Sequence, residues 1–325
     1  MAGENSKLIN FKNVFSLLIY LIIKVSSPTF ASQYAFMFEW LIFLLLCLVW
    51  GSSFILMKIG LLAFSPFEVA GLRLLSAGIV LLPFFFSAWK RTNSKTKAFA
   101  VLIGLLGSFF PGILFCMAET TLHSSVAGVL NATTPLFVIL VGFFLFGRSF
   151  HWVQLAGITL GFIGVLLLFY PSLSINDTSF TGKAMLILLA TIMYGFNVNI
   201  ANLHLSTTAP LYVASVSLVM LIPVDLFLLI QQGFFLKNFS EFNMQKAALA
   251  SVVLGVFGTA MATWLFYVLM QRSGPLFSSM VTYGIPFVAL GWGVVAGEAI
   301  TYIAILALFL ILLGVYLANK KKSPV

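Results

Sequence analysis

Ten apolar runs, each near twenty residues long, divide almost the whole chain, and the second five repeat the first five. They lie roughly at 38–60, 66–88, 98–118, 124–146, 152–170, 182–203, 210–230, 247–270, 275–296 and 300–318. A bilayer core takes about 20 apolar residues as helix. A barrel strand needs about ten, alternating apolar and polar. These runs are continuously apolar. The sequence therefore reads as an all-α integral membrane protein, with ten transmembrane helices as two inverted five-helix repeats. An odd number of spans turns the second copy upside down against the first. Inverted repeats are an architecture of secondary transporters, whose site lies between the two halves.

Composition agrees. Hydrophobic residues make up 61% of the 325 and charged residues 8%, against about a quarter charged in a soluble domain. Mean hydropathy is +1.12. Such a chain cannot present a water-compatible surface, so its first partner is the lipid bilayer. The net charge of +9 reflects basic residues at the cytoplasmic rim and does not indicate a nucleic-acid partner. Cys47 and Cys116 sit in apolar runs, as small buried hydrophobes rather than as a disulfide or metal site.

Ten spans put both ends of this core on one side of the membrane. With the C-terminus inside, the inner rim holds Lys90, Arg91, Lys95, Lys97, Arg148, Arg272, Lys320, Lys321 and Lys322, and the outer loops hold Lys183, Lys237 and Lys246. The positive-inside rule then places both ends of the core in the cytoplasm, in a cytoplasmic (inner) membrane. Residues 1–36 form an N-terminal extension. Its apolar stretch Val14–Ile23 is too short to span and is flanked by Lys7, Lys12 and Lys24. It reads as a signal-like segment, an interfacial helix or an extra partial span. Translation from Met37 is the alternative favoured here. Residues 319–325 form a basic cytoplasmic tail.

The repeat rests on glycine and proline. At an offset of 144, Trp50-Gly51 meets Tyr194-Gly195, Pro66 meets Pro210, Val69-Ala70 meets Val213-Ala214, and Leu74 meets Leu218. At 151, Gly104 meets Gly255, Gly107 meets Gly258 and Pro135 meets Pro286; at 150, Gly147 meets Gly297 and Gly164 meets Gly314. Membrane helices are rich in Gly and Pro, but their order along both halves makes chance the weaker account. The repeats divide as 38–170 and 182–318.

Several stretches resemble the EamA-type members of the drug/metabolite transporter superfamily. They are WGSSFILMKIG in the first helix, SPFEVAGLRLLSAG in the second, and AETTLHSSVAGVLNATTPLF across the third and fourth. FGRSFHWVQLAGITLGFIGVLLL and AGEAITYIAILALFLILLGVYL end the two copies. The resemblance covers about residues 38–318. It implies ten helices, cytoplasmic termini, and a central cavity lined mainly by helices one, three, four, six, eight and nine. It also implies a small-metabolite substrate such as an amino acid, often moved outward. The family's Gly-Glu pair survives only as Gly297-Glu298; the first copy has Gly147-Arg148 at the cytoplasmic rim.

A charge at mid-membrane costs about 2.5–3.5 kcal/mol on insertion scales and calls for a reason. Arg73 lies some seven residues into helix two. It is either a charge partner for a substrate carboxylate or for Glu119, or one half of a structural ion pair with Glu68. Lys58 reads as a snorkelling side chain, and Glu68 as a charge on its helix dipole. Glu119 closes helix three and matches an acidic position in part of the family. It is a candidate for proton coupling or for binding a substrate amine, against the alternative of a solvated loop carboxylate. His123 is a weaker candidate for the same switch. Asp225 reads as structural or interfacial.

The uncharged polar residues mark the expected cavity. Helix one supplies Trp50 and Ser53. Asn131 and Thr134 precede Pro135 in helix four, and Thr282 and Tyr283 precede Pro286 in helix nine. The prolines are expected to break their helices, freeing carbonyls that must face protein or water. Helix six offers Asn199 and Asn202, and helix eight Thr263 and Trp264. Inter-helix hydrogen bonding is the competing use of each. The expected pocket is amphipathic, with aromatic walls. Gly157-x-x-x-Gly161 and Gly293-x-x-x-Gly297 suit close helix packing, inside a monomer or between two copies of a homodimer.

The sequence has no HExxH, no GxxxxGK[ST] and no His/Cys cluster, so no enzyme, catalytic residue, metal or cofactor is expected. A lipid-linked sugar flippase and a non-transporting accessory protein are the alternatives. The expected partners are a small-molecule substrate and a coupling proton.

Overall fold

The computed structural model describes residues 30–147, 152–174, 178–298 and 300–319. Val14–Ile23, Arg148 and Lys320–Lys322 lie outside them. Contacts divide the chain into a unit ending at Trp40 and a second beginning at Leu41. In the first, residues 30–40 are helical and Phe36 meets Trp40 edge-on at 5.9 Å. The second carries the remaining helices and the cavity described below.

All regular structure among the described residues is helical. Among the described residues, eight helices are long and apolar enough to cross a membrane. They are α1 (Phe30–Leu61), α2 (Pro66–Arg91), α3 (Ser94–Glu119), α4 (Ser124–Phe146), α6 (Thr178–His204), α7 (Pro210–Gln231), α8 (Phe242–Pro275) and α9 (Phe277–Val295). Two more, α5 (Trp152–Ser174) and α10 (Tyr302–Asn319), have shorter apolar stretches at Trp152–Leu167 and Tyr302–Ala318. Apolar side chains such as Phe144, Leu166 and Phe309 lie exposed, as a lipid-facing surface requires.

Helix ends follow local chemistry. Ser65 accepts from the Glu68 amide while Glu68 accepts from the Ser65 amide, a capping box with Pro66 at the first turn. Glu68 also pairs with Lys237 at 2.7 Å. The alternative of a Glu68–Arg73 ion pair is therefore not the one that forms; five residues of helix turn those two side chains apart. Asn93 caps α3 through the Thr96 amide. The helix therefore starts four residues before its apolar run, a polar turn that hydropathy does not register.

Two helices carry an extra residue in one turn. A π-helical segment spans Leu105–Phe109 in α3 and another spans Val256–Met261 in α8, 151 residues apart. Both sit beside close helix contacts. A Cβ at Gly104 would overlap the Ser217 carbonyl of α7, and one at Gly255 would overlap the Arg73 carbonyl of α2. Gly157 and Gly161 of α5 pack backbone to backbone on Gly314 and Ala318 of α10, so the first small-residue motif is spent within the chain.

The two prolines behave differently. The α4 helix breaks at Ala132–Thr133, and Pro135 starts its second half. The Asn131 carbonyl, which cannot receive an N–H from Pro135, accepts the Thr134 hydroxyl at 2.8 Å. Pro286, by contrast, lies inside the continuous stretch Val281–Val295, and the turn in α9 falls earlier, at Met280. The expected break at Pro286 is corrected accordingly.

Gly104→Val should force α3 off α7 and cost about 1–3 kcal/mol. Gly291→Ala, where nothing lies within 4 Å of the new Cβ, should be neutral or stabilising by up to about 1 kcal/mol. Thermal unfolding of the two purified variants beside the parent chain measures both.

Candidate substrate cavity

A cavity of about 900 Å³, counting its open mouth, lies among α1, α2, α3, α4, α6, α8 and α9. Six of the ten side chains expected there line it: Trp50, Ser53, Asn131, Thr134, Thr263 and Thr282. Arg73 lines it too, from a helix not expected to contribute. No residue of α7 is among the lining, as expected.

The π segments shape this wall. An extra residue in a helical turn displaces the backbone ladder and leaves carbonyls for other donors. The Trp50 indole N–H donates to the Gly258 carbonyl at 3.1 Å, inside the α8 segment. Asn197 Nδ2 donates to the Ile103 carbonyl at 2.8 Å, just before the α3 segment. Thr259 accepts Arg73 Nε at 2.6 Å through its hydroxyl.

Four expected residues fall elsewhere. Asn199 is buried and donates to the Val138 and Gly195 carbonyls at 2.9 and 2.8 Å, pinning α6 to α4. Asn202 and Tyr283 are not on the cavity wall, and Trp264 is 38% exposed on the outside of the bundle. Asn199, Trp264 and Tyr283 are each one residue from a lining residue, and one helical residue turns the side chain by about 100°. Asn202 lies one turn beyond Val198, on nearly the same face but past the end of the cavity wall. On α6 the lining face is Tyr194, Asn197 and Val198; on α8 it is Thr259, Thr263, Phe266 and Tyr267. Both follow i, i+3, i+4 spacing. That spacing, measured from Tyr194 and Thr259, was the signal that could have found Asn197, Phe266 and Tyr267.

Glu119 is 1% exposed, and neither carboxyl oxygen has a hydrogen-bond partner among the described residues. The reading of it as a solvated loop carboxylate is thereby excluded. Lys58, Glu298 and Arg73 are the charges that act on it. Asp225 is likewise buried with both oxygens unpartnered, on α7 and away from the cavity.

Glu298 makes the most specific contact at the rim. Gly297 adopts φ +76°, and the Glu298 and Gly297 amides donate back to Gly293 and Val294, a Schellman end to α9. That turn aims the Glu298 carboxylate at the start of α4. There it accepts the amides of Ser124 at 2.9 Å and Ser125 at 3.1 Å, with His123 Nδ1 at 3.9 Å. It caps a helix from the other half of the chain.

The EamA-like transporter family model matches residues 37–170 and again 182–320. The chain belongs to this family. Like the other EamA-like proteins it is a multi-pass membrane transporter, not an enzyme. It is 28% identical over 281 residues, 85% of its own length and 89% of the other's, to a protein named uncharacterized inner membrane transporter YedA from Escherichia coli K12. It is 31% identical over 139 residues to a probable amino-acid metabolite efflux pump of the same strain, covering 43% of this chain and 45% of that one. A solved structure titled only "Crystal structure of protein" overlays with TM-score 0.59 at 18% identity, over 86% of this chain and 95% of that one. That overlay speaks for the fold alone.

Burial pushes the Glu298 carboxyl up, but the Ser124 and Ser125 amides, the Ser125 hydroxyl and His123 together hold it below its ordinary value of 4.5. A depressed carboxyl stabilises the fold above the unfolded value and loses that contribution as pH falls through the folded one. Glu298→Gln should therefore cost about 1 kcal/mol at neutral pH, in the range of lost helix caps. The gap between variant and parent should close below about pH 4. Melting curves across that pH range test it.

Proposed function

We propose that this chain is a secondary active transporter that moves small amphipathic metabolites across the cytoplasmic membrane by alternating access. The observation that carries the reading is a polar-and-aromatic cavity walled by α1–α4 from one family match and by α6, α8 and α9 from the other. A site built from both halves can open to either face by rocking one half against the other.

On this reading α5 and α10 also cross the membrane. The ten spans form two inverted repeats, with the core's termini in the cytoplasm. The paired π segments, the left-handed Gly147 and Gly297 at the ends of α4 and α9, and the two family matches support the repeat. The names of the relatives, one an inner membrane transporter and one a probable efflux pump, support the membrane and the outward direction. Glu119 is the coupling group. A carboxyl buried without a hydrogen-bond partner among the described residues, within the field of Lys58 and Arg73, gains or loses a proton as its surroundings open. A lipid flippase finds less support. Among the described residues, the surface groove between α5 and α10 is lined by Trp152, Leu155, Ala156, Thr159, Leu160, Ile163 and Leu317, none of them basic.

Proteoliposomes holding the purified chain should accumulate a solute from pooled amino acids and small metabolites when a pH gradient is imposed. Glu119→Gln should abolish the response to the gradient and leave downhill exchange. Accumulation that ignores both gradient and substitution would refute proton coupling at Glu119. Flux of lipid alone would refute the metabolite reading.

A further inference from the structure

We propose that the cavity selects a monoanion, a small carboxylate on an apolar or aromatic body, with its carboxylate docked on Arg73. The proposal rests on reading the cavity as the transport site.

Arg73 is the one charged side chain among the residues lining the cavity. Its Nε is fixed by the Thr259 hydroxyl at 2.6 Å, which sets the plane of the guanidinium. Its Nη1 reaches only the Met57 sulfur, at 3.9 Å. No carboxylate among the described residues lies within ion-pair distance of it, whereas Glu68 and Glu298 have partners of their own. Glu119, on which the Arg73 charge acts through space, makes no hydrogen bond or ion pair with it and is not part of the wall. An oriented, unneutralised guanidinium at membrane depth is costly without a function, and its fork matches a carboxylate.

The repeat sharpens the point. At the offset of 144 that pairs Leu74 with Leu218, Arg73 falls opposite Ser217. The architecture holds together with a serine there, so packing does not demand the cation. Charge then fixes the valence of the ligand. One guanidinium balances one carboxylate; a phosphate monoester brings about 1.5–2 negative charges. A zwitterion brings an ammonium that meets no carboxylate on the wall. Trp50, Phe54, Phe115, Tyr194, Phe266 and Tyr267 supply the aromatic walls for the body.

The test uses the full chain in detergent and in proteoliposomes, with 3-phenylpropionate, 3-phenylpropionamide, 3-phenylpropylamine and phenylalanine as matched probes. The carboxylate should raise the melting temperature at millimolar concentration, and the amide, amine and zwitterion should not. Arg73→Gln should weaken carboxylate binding by about tenfold or more, the usual scale for a lost hydrogen bond to a charged group. Arg73→Lys should keep part of it, and uptake should follow the same order. The comparison of probes on the parent chain needs no variant to fold.

Thr134→Phe, which fills the cavity, separates the two readings. Carboxylate and amide binding alike, both lost in Thr134→Phe, would overturn the anion site and leave the cavity standing. Carboxylate binding that survives Thr134→Phe would overturn both. No response of the parent chain to the carboxylate would overturn the proposal.

Discussion

Lipid offers no hydrogen bonds, and the irregular turns of α3, α4 and α8 are shaped by that fact. A backbone group left open in the hydrocarbon costs several kcal/mol, so departures from the α-helix persist only where another part of the protein answers them. The Trp50 indole answers the α8 segment at Gly258, Asn197 answers α3 at Ile103, and Thr134 answers the proline at Asn131. All of these donors line the cavity. The polar wall exists because the helices are irregular there, and the helices can be irregular there because the wall is polar.

The same requirement explains what could be read from the sequence. Apolar runs mark spans because lipid allows little else, and Gly104, Gly255 and Gly161 mark contacts because a Cβ would collide. The α-helical period gave the right helices for the cavity but not the right faces. Asn199 and Asn202 on α6 looked as eligible as Asn197, since all three are amides on one helix. What separates Asn199 from the wall is rotation by about 100° per residue, and what separates Asn202 is a further turn along the helix beyond Val198. In α8 a π turn upstream alters the phase. A single sequence carries no marker for the turn that holds the extra residue. Glu298 was legible only as half of a Gly-Glu pair; that it caps a helix 174 positions away needed coordinates.

The acids divide by the way each is neutralised. Glu68 has Lys237 and a helix start; Glu298 has the start of α4. Both are latches at the ends of helices, tying the first half of the chain to the second. Glu119 and Asp225 have no such partners among the described residues. A buried carboxylate without hydrogen bonds is far more costly than a buried acid, so these two are the groups whose charge state the fold constrains most. Glu119 is set among Lys58, Arg73 and Glu298, so its charge can be felt at the rim and at the cavity together. For Asp225 burial alone is the influence, with no comparable set of neighbouring charges among the described residues.

On the proposed repeat, what the two halves share is packing, and what they do not share is charge. The π segments, the left-handed glycines and the close helix crossings occur in pairs. Arg73 falls opposite Ser217, Glu119 opposite Met270 and Glu298 opposite Arg148 at offsets of 144, 151 and 150. A carrier with two equivalent halves would have no intrinsic preference between its faces. Charges present in one half only break that equivalence: on the proposed alternating-access reading, the Glu298 carboxylate held on the start of α4 favours closure at its own rim, and the other copy has Arg148 at the matching position. The direction in which such a carrier rests is then a property of these few unpaired positions rather than of the fold.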